Sequence, residues 1–161
     1  MYCIINAIMT TVESRLQTHV DEMASDAGAP EILTKKKPLV SQRAHDLKKT
    51  PHDRAWITTY PISKLKQREG REVVQVTLSV DVVVSLGQVK ASDVDKINTM
   101  LDITQSIDDY MEGGEESYEP AVIVINDDDT DLWLPDFINR NALFLGVIPL
   151  KFRWKRNRIR N

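Results

Sequence analysis

The sequence predicts an α+β fold: a mostly antiparallel sheet of about four to five strands with a long hairpin, packed against two helices at about 4–25 and 92–112. Three observations carry this expectation. Val74, Val76, Leu78, Val80, Val82 and Val84 alternate with Gln75, Thr77, Ser79 and Asp81, the signature of a long strand dry on one face and wet on the other. Two segments repeat apolar residues at helical spacing. The stretch ALFLGVIPLKFRW (142–154) returns to alternation, with Ile148, Leu150, Phe152 and Trp154 on one face and Lys151, Arg153 and Lys155 on the other.

Ile5, Ile8, Val12, Leu16, Val20 and Met23 form the apolar stripe of the first helix, ended by Gly28 and Pro30. Thr10 and Glu13 offer an alternative capping pair and Met9 a second start, which would make residues 1–9 an N-terminal extension. A short strand is expected near Glu31–Lys36, then a loop or short helix near 41–49. The aromatic and β-branched run WITTYPIS starts a strand at Trp56 that Pro61 should stop, with SKLKQREGR (63–71) as the turn into the alternating strand. Ser92 is the expected cap of the second helix, with Val94, Ile97, Leu101, Thr104, Ile107 and Met111 facing inward. AVIVI (121–125) reads as a short, fully buried strand, followed by an acidic turn over 126–131 and by LWLPDF. In the last strand Pro149 cannot donate to a ladder, which predicts a bulge or an edge position.

At 161 residues, 42% hydrophobic and 28% charged, the chain fits a single domain spanning 1–161 that buries about two thirds of its unfolded surface. The lone Cys3 allows no intrachain disulfide and fits a reducing site of folding. The opening MYCIINAIM lacks a leading positive charge and is too short to span a membrane, so no membrane partner is expected. The net charge of −3 conceals a polarity. Six of the 21 basic residues fall within 151–161, and residues 155–161 read as a basic C-terminal extension; residues 97–139 hold twelve acids and no Lys or Arg. Opposite charge on separate parts of a chain suits assembly with a complementary surface.

No nucleophile elbow, phosphate loop or zinc-ligand spacing is present, so no enzymatic activity and no cofactor are expected. Asp127, Asp128, Asp129 and Asp131 resemble an oxygen-rich cation loop but lack the glycine and closing glutamate of a calcium loop; acidic turn residues are the expected role, with no metal. His45-Asp46 and His52-Asp53 repeat a pair that a hydrolase could use, but surface loop residues are the simpler reading. The basic ribbon, with Lys151, Arg153, Trp154, Lys155, Arg156 and Arg158, could bind phosphates as a small nucleic-acid-binding module. Arg and Trp also dominate protein interfaces, and the chain offers acids of opposite sign, so protein contact is the favoured reading.

The order helix, variable loop, WITTYP strand, VVQVTLSVDVVV strand, acidic helix SDVDKINTMLDITQSIDDYM and final strand led by Phe144 resembles the tail terminator (tail completion) proteins of tailed bacteriophages and the related neck proteins. The resemblance covers Thr10 to Trp154 and lies in element order, not in a diagnostic motif; Pro149, the basic extension and the segment before Met9 depart from it. It implies a structural virion protein of the tail or neck, assembled in the host cytoplasm as a homohexameric ring. Such a ring caps the tail tube, stops its growth and presents the surface to which head–tail connector or neck proteins join. DNA passes through it without sequence-specific binding. A head-completion or connector protein is the alternative within this class. On this reading Lys151, Arg153, Trp154, Lys155, Arg156 and Arg158 form a subunit or partner interface, with residues 142–155 an edge strand open to a neighbour. Asp108, Asp109, Asp127, Asp128, Asp129 and Asp131 form an acidic channel or interface surface.

Overall fold

The computed structural model describes residues 3–43, 46–113, 118–125 and 131–157. It is an α+β arrangement of one five-stranded sheet and four helices. Helix α1 (Ile4–Ser25) starts and ends where its apolar period does, and buries Ile8, Val12, Leu16 and Val20 as one stripe. Residues 31–36, expected as a strand, open instead with a single helical turn, α2 (Glu31–Thr34). Pro30 precedes it and Glu31 lies in its first turn, where a carboxylate meets the positive end of the backbone dipoles. Strand β1 (Leu39–Ser41) and a 3₁₀ turn (Leu47–Lys49) follow.

Strands β2 (Trp56–Arg68) and β3 (Val73–Gly87) make the long hairpin. Pro61 does not stop β2, and the segment expected as a turn is mostly strand: pairing continues from Ser63↔Ser79 to Arg68↔Val74 after a one-residue shift at Ile62. The reason is geometric. The Ala55 carbonyl bonds to Leu39 of β1, so odd-numbered groups up to Pro61 point away from β3, and β1 ends opposite Thr58. The missing proline N–H therefore costs no ladder bond. The true turn is 69–72, where Gly70 takes φ 141°, a conformation open to glycine.

Helix α3 (Val94–Glu112) begins after Asp93, not Ser92; the Asp93 carboxylate accepts the Lys90 N–H at 2.9 Å and Asp95 sits in the first turn. Its buried line is Met100, Ile103, Thr104, Ile107 and Met111, with Ile97 and Leu101 packed beside it, so that of the expected stripe only Val94 is exposed. Strand β4 (Val122–Val124) is not fully buried: Ile123 faces the core, while Val122 is 51% exposed. A short helix α4 (Asp136–Asn141) leads through Ala142, at φ 49°, into β5 (Leu143–Asn157).

The strand order is β1-β2-β3-β5-β4, antiparallel except for β1 beside β2. Strand β5, expected at an edge, is interior: it pairs with β3 without a break from Gly87↔Leu143 to Val73↔Asn157 and carries β4 on its other side. Pro149 causes no bulge. The Leu145 carbonyl and the Val147 N–H bond to Leu134 and Leu132, so odd positions of β5 face away from β3, and Pro149 falls in the gap between that segment and β4. Helices α1 and α3 cover one sheet face, sealing a core that includes Leu78, Val82, Phe144, Phe152 and Trp154. A second, smaller cluster lies behind the sheet, where Val83, Leu143 and Leu145 are covered by Tyr60, Leu134 and Phe137. It explains why β3 stops alternating near Val83.

Candidate subunit interface

Residues opposite one another in an antiparallel ladder share a face. Because Phe152 and Trp154 pair with Leu78 and Val76 on the core side, Lys151, Arg153 and Lys155 stand on the outer face beside Ser79, Thr77 and Gln75. Two-residue steps along the strand space these cations about 6.6 Å apart in a column. Trp154, predicted as a contact residue, is only 6% exposed and anchors the column from within the core. Arg156 is opposite Val74 on the core side and exposed beyond the helices; Arg158 lies outside the described residues. Lys155 meets Glu69 of the hairpin turn at 2.8 Å, an exposed pair of small energetic weight that ties β5 to the tip.

An acidic stripe lies on the other side of the molecule. Asp95, Asp102 and Asp109 are exposed and seven residues apart, close to two helical turns, so they form a solvent-facing stripe along α3 while the opposite side of that helix packs on the sheet. Asp109 accepts a hydrogen bond from Gln105 at 2.9 Å. Asp108 is partly buried, and its carboxyl is pushed above the usual range by burial, then by Glu112 and Asp109 nearby. Asp131 is exposed, whereas Asp127, Asp128 and Asp129 lie outside the described residues. Asp81, also on the outer face, has its carboxyl raised by burial beside Tyr60 and Pro149.

The histidine pairs do not converge. His45 lies outside the described residues. His52 lines an open cleft of about 370 Å³ with Lys35 and Asp95, and its neighbour Asp53 is engaged by Lys36, whose hydrogen bond lowers the carboxyl. Among the described residues no group of three or more His, Cys, Asp or Glu is placed to hold a metal, and no helix is long and apolar enough to cross a membrane.

One polar constellation was invisible in the sequence. His19 of α1 stacks on Tyr110 of α3 with centroids 4.1 Å apart, and its Nε2 lies 2.9 Å from Ser106 Oγ. Glu22 is 4.0 Å from Nδ1. A serine beside a histidine suggests a nucleophile and base, but both residues sit within helices whose backbone N–H groups are bonded along the helix, so their own amides offer no oxyanion donor. Arg15, one turn earlier, bonds the Tyr110 carbonyl and the Tyr118 hydroxyl, each at 3.1 Å, with its guanidinium over both rings. The group clasps α1 to α3. Only the i, i+4 spacing of Arg15 and His19 outside the apolar stripe signals it.

Burial lowers the His19 pKa below 6.5, outweighing Glu22 and Ser106, which raise it. The unfolded chain therefore binds this proton first: the stabilisation is complete above about pH 6.5 and is lost as pH falls towards the lower folded value. Thermal melting should drop between pH 7.5 and 5.5, and His19→Gln should flatten that slope.

Neither a protein-family model nor a curated protein sequence matches the chain.

Proposed function

We propose that this chain is a non-enzymatic structural subunit that assembles head to tail into a hexameric ring, as tail terminator and neck proteins of tailed bacteriophages do. In that role it caps the tail tube, ends its growth and offers the joining surface to head–tail connector proteins within the virion. The observation that supports it is the separation of charge across the sheet: a cation column on the outer face, held by Phe152 and Trp154, and an acid stripe on α3 on the opposite side. The cationic face suits an anionic protein partner. The acid stripe suits a channel wall, because it repels phosphates and lets DNA slide without adhering.

Native mass spectrometry with negative-stain imaging tests this directly. The expected particle is a ring of six times the 18.4 kDa subunit mass, and a chain that stays monomeric over a wide concentration range contradicts the reading. Neutralising the stripe with Asp95→Asn, Asp102→Asn and Asp109→Asn should tighten duplex DNA binding by about tenfold or more at low salt, measured by gel shift. Unchanged DNA binding would remove the channel role.

A nucleic-acid-binding arm is the second reading. It is favoured by one observation: the end of the sheet formed by the hairpin and β5 carries exposed cations on both faces, with Lys64, Lys66 and Arg68 of β2 on one and Arg153 and Lys155 of β5 on the other. Tight, steeply salt-dependent duplex binding by the unaltered chain, lost on Arg153→Glu, would support it over the ring.

A further inference from the structure

The sheet ends in two edges that no described strand covers. On one side, β1 pairs only with residues 56–58, so no described strand pairs with β2 on that side beyond Thr58, and β2 is exposed from Pro61 to Arg68. Beyond the shift at Ile62, residues Ser63, Leu65 and Gln67 pair with odd positions of β3, whose groups face β2, so the N–H and C=O of Lys64, Lys66 and Arg68 point outward. On the other side, Val122 and Val124 pair with Arg153 and Lys151, so the backbone of Ile123 points away from the sheet.

Both edges carry apolar side chains in solvent. Ile62 and Leu65 are 54% and 55% exposed, and Val122 and Ile125 are 51% and 58% exposed. Their charges differ: Lys64, Lys66 and Arg68 line β2, whereas β4 itself carries no charge and the exposed acids Glu119 and Asp131 precede and follow it in the chain. An uncovered strand with exposed hydrophobes is a template for another strand, and natural folds ordinarily protect such edges.

We infer that the β4 edge of one copy pairs with the β2 edge of the next, closing the assembly by sheet continuation. This rests on the ring reading and names the surface that would join its subunits. The direction follows from the fold. Strands β2, β3, β5 and β4 alternate in direction. A neighbour placed by rotation with its outer face on the same side therefore brings its β4 antiparallel to β2, with Val122 and Leu65 on one shared face. The contact is heterologous, each copy giving one edge and receiving the other, as a closed ring requires. The ladder supplies affinity, and the cations of β2 with the acids before and after β4 fix which edges meet.

The test uses the full chain. Lys66→Pro removes an N–H that faces away from β3, so the hairpin survives while the template loses a donor; Lys66→Ala removes the charge and keeps the donor. Native mass spectrometry should show Lys66→Pro weakening assembly by about tenfold, one hydrogen bond's worth at each interface, and more than Lys66→Ala. Circular dichroism and melting of the monomer report whether the fold is intact. Hydrogen exchange on the unaltered chain should show the amides of Lys64, Lys66, Arg68 and Ile123 slowed on assembly. Rings that form with these amides still fast, or with Lys66→Pro assembling as the parent does, overturn this edge pairing and leave the ring standing. A chain that never assembles overturns both.

Discussion

Gly146→Ala is expected to destabilise the chain by about 1–3 kcal/mol, and Gly146→Val by more, because no room exists for a β-carbon at the point where α3 crosses β5. A Cβ built there lies 2.7 Å from Thr104 Oγ1, 2.9 Å from Thr104 Cγ2 and 3.4 Å from a Phe144 ring carbon. Thr104 cannot swing aside easily. It is fully buried and its hydroxyl donates to the Met100 carbonyl at 2.7 Å, which fixes its rotamer. Either the helix moves off the sheet, opening the contacts of Met100, Ile107 and Phe144, or the strand bends. In a domain of this length each 1 kcal/mol lost lowers the melting temperature by about 2–4 °C, so the alanine variant should be visible in a simple thermal melt. The cause is separable by a double-mutant cycle. Thr104→Ala deletes the two closest of these atoms and leaves only the ordinary 3.4 Å approach to Phe144, at the cost of a small cavity, so Gly146→Ala in that background should be close to neutral. A coupling of about 1–2 kcal/mol would locate the strain between these two residues; additive costs would place it in the backbone.

The parts of the fold that were legible in the sequence are those written in local period. The stripe of α1 and the alternation from Val74 to Val82 reflect burial on one side of a single element, and the partition of Lys151 and Arg153 from Phe152 and Trp154 is likewise a property of consecutive residues. What was illegible depends on partners far away in the chain. Whether Pro61 or Pro149 interrupts a strand turns on which side of that strand is bonded, and only the order β1-β2-β3-β5-β4 supplies this. The same order moves β5 from the expected edge to the interior. The burial of both faces of β3 near Val83 comes from Leu134 and Phe137 crossing behind it. On α3 two apolar lines were available, and tertiary packing chose Met100 and Ile103 over Val94. At the candidate interface, the cation column was read from alternation alone. The Arg15, His19, Ser106, Tyr110 and Tyr118 clasp was missed because its members lie on elements whose contact no local pattern reveals.

Phe152→Ala is the second large effect, expected to cost about 3–5 kcal/mol, a substantial share of the roughly 5–15 kcal/mol that holds a domain of this kind together. Phe152 is fully buried. It pairs with Leu78 on one side and Ile123 on the other, and its ring meets Tyr118 at 4.7 Å in a tilted arrangement. Its truncation leaves a cavity where β3, β4 and the Tyr118 segment converge. Urea unfolding should show the midpoint falling at an unchanged slope, the mark of lost stability with the same surface exposed. This variant also separates two explanations for the alternating strand. If the aromatic face exists to seat the cations, then Phe152→Ala should weaken both folding and assembly, because Lys151 and Arg153 lose the platform that fixes their spacing. Arg153→Glu should weaken partner contact alone, since its side chain is exposed and removing it opens no cavity. Should Arg153→Glu lower the melting temperature as far as Phe152→Ala does, the charged face would be part of what folds the chain, and the division of labour between the two faces of β5 would be wrong.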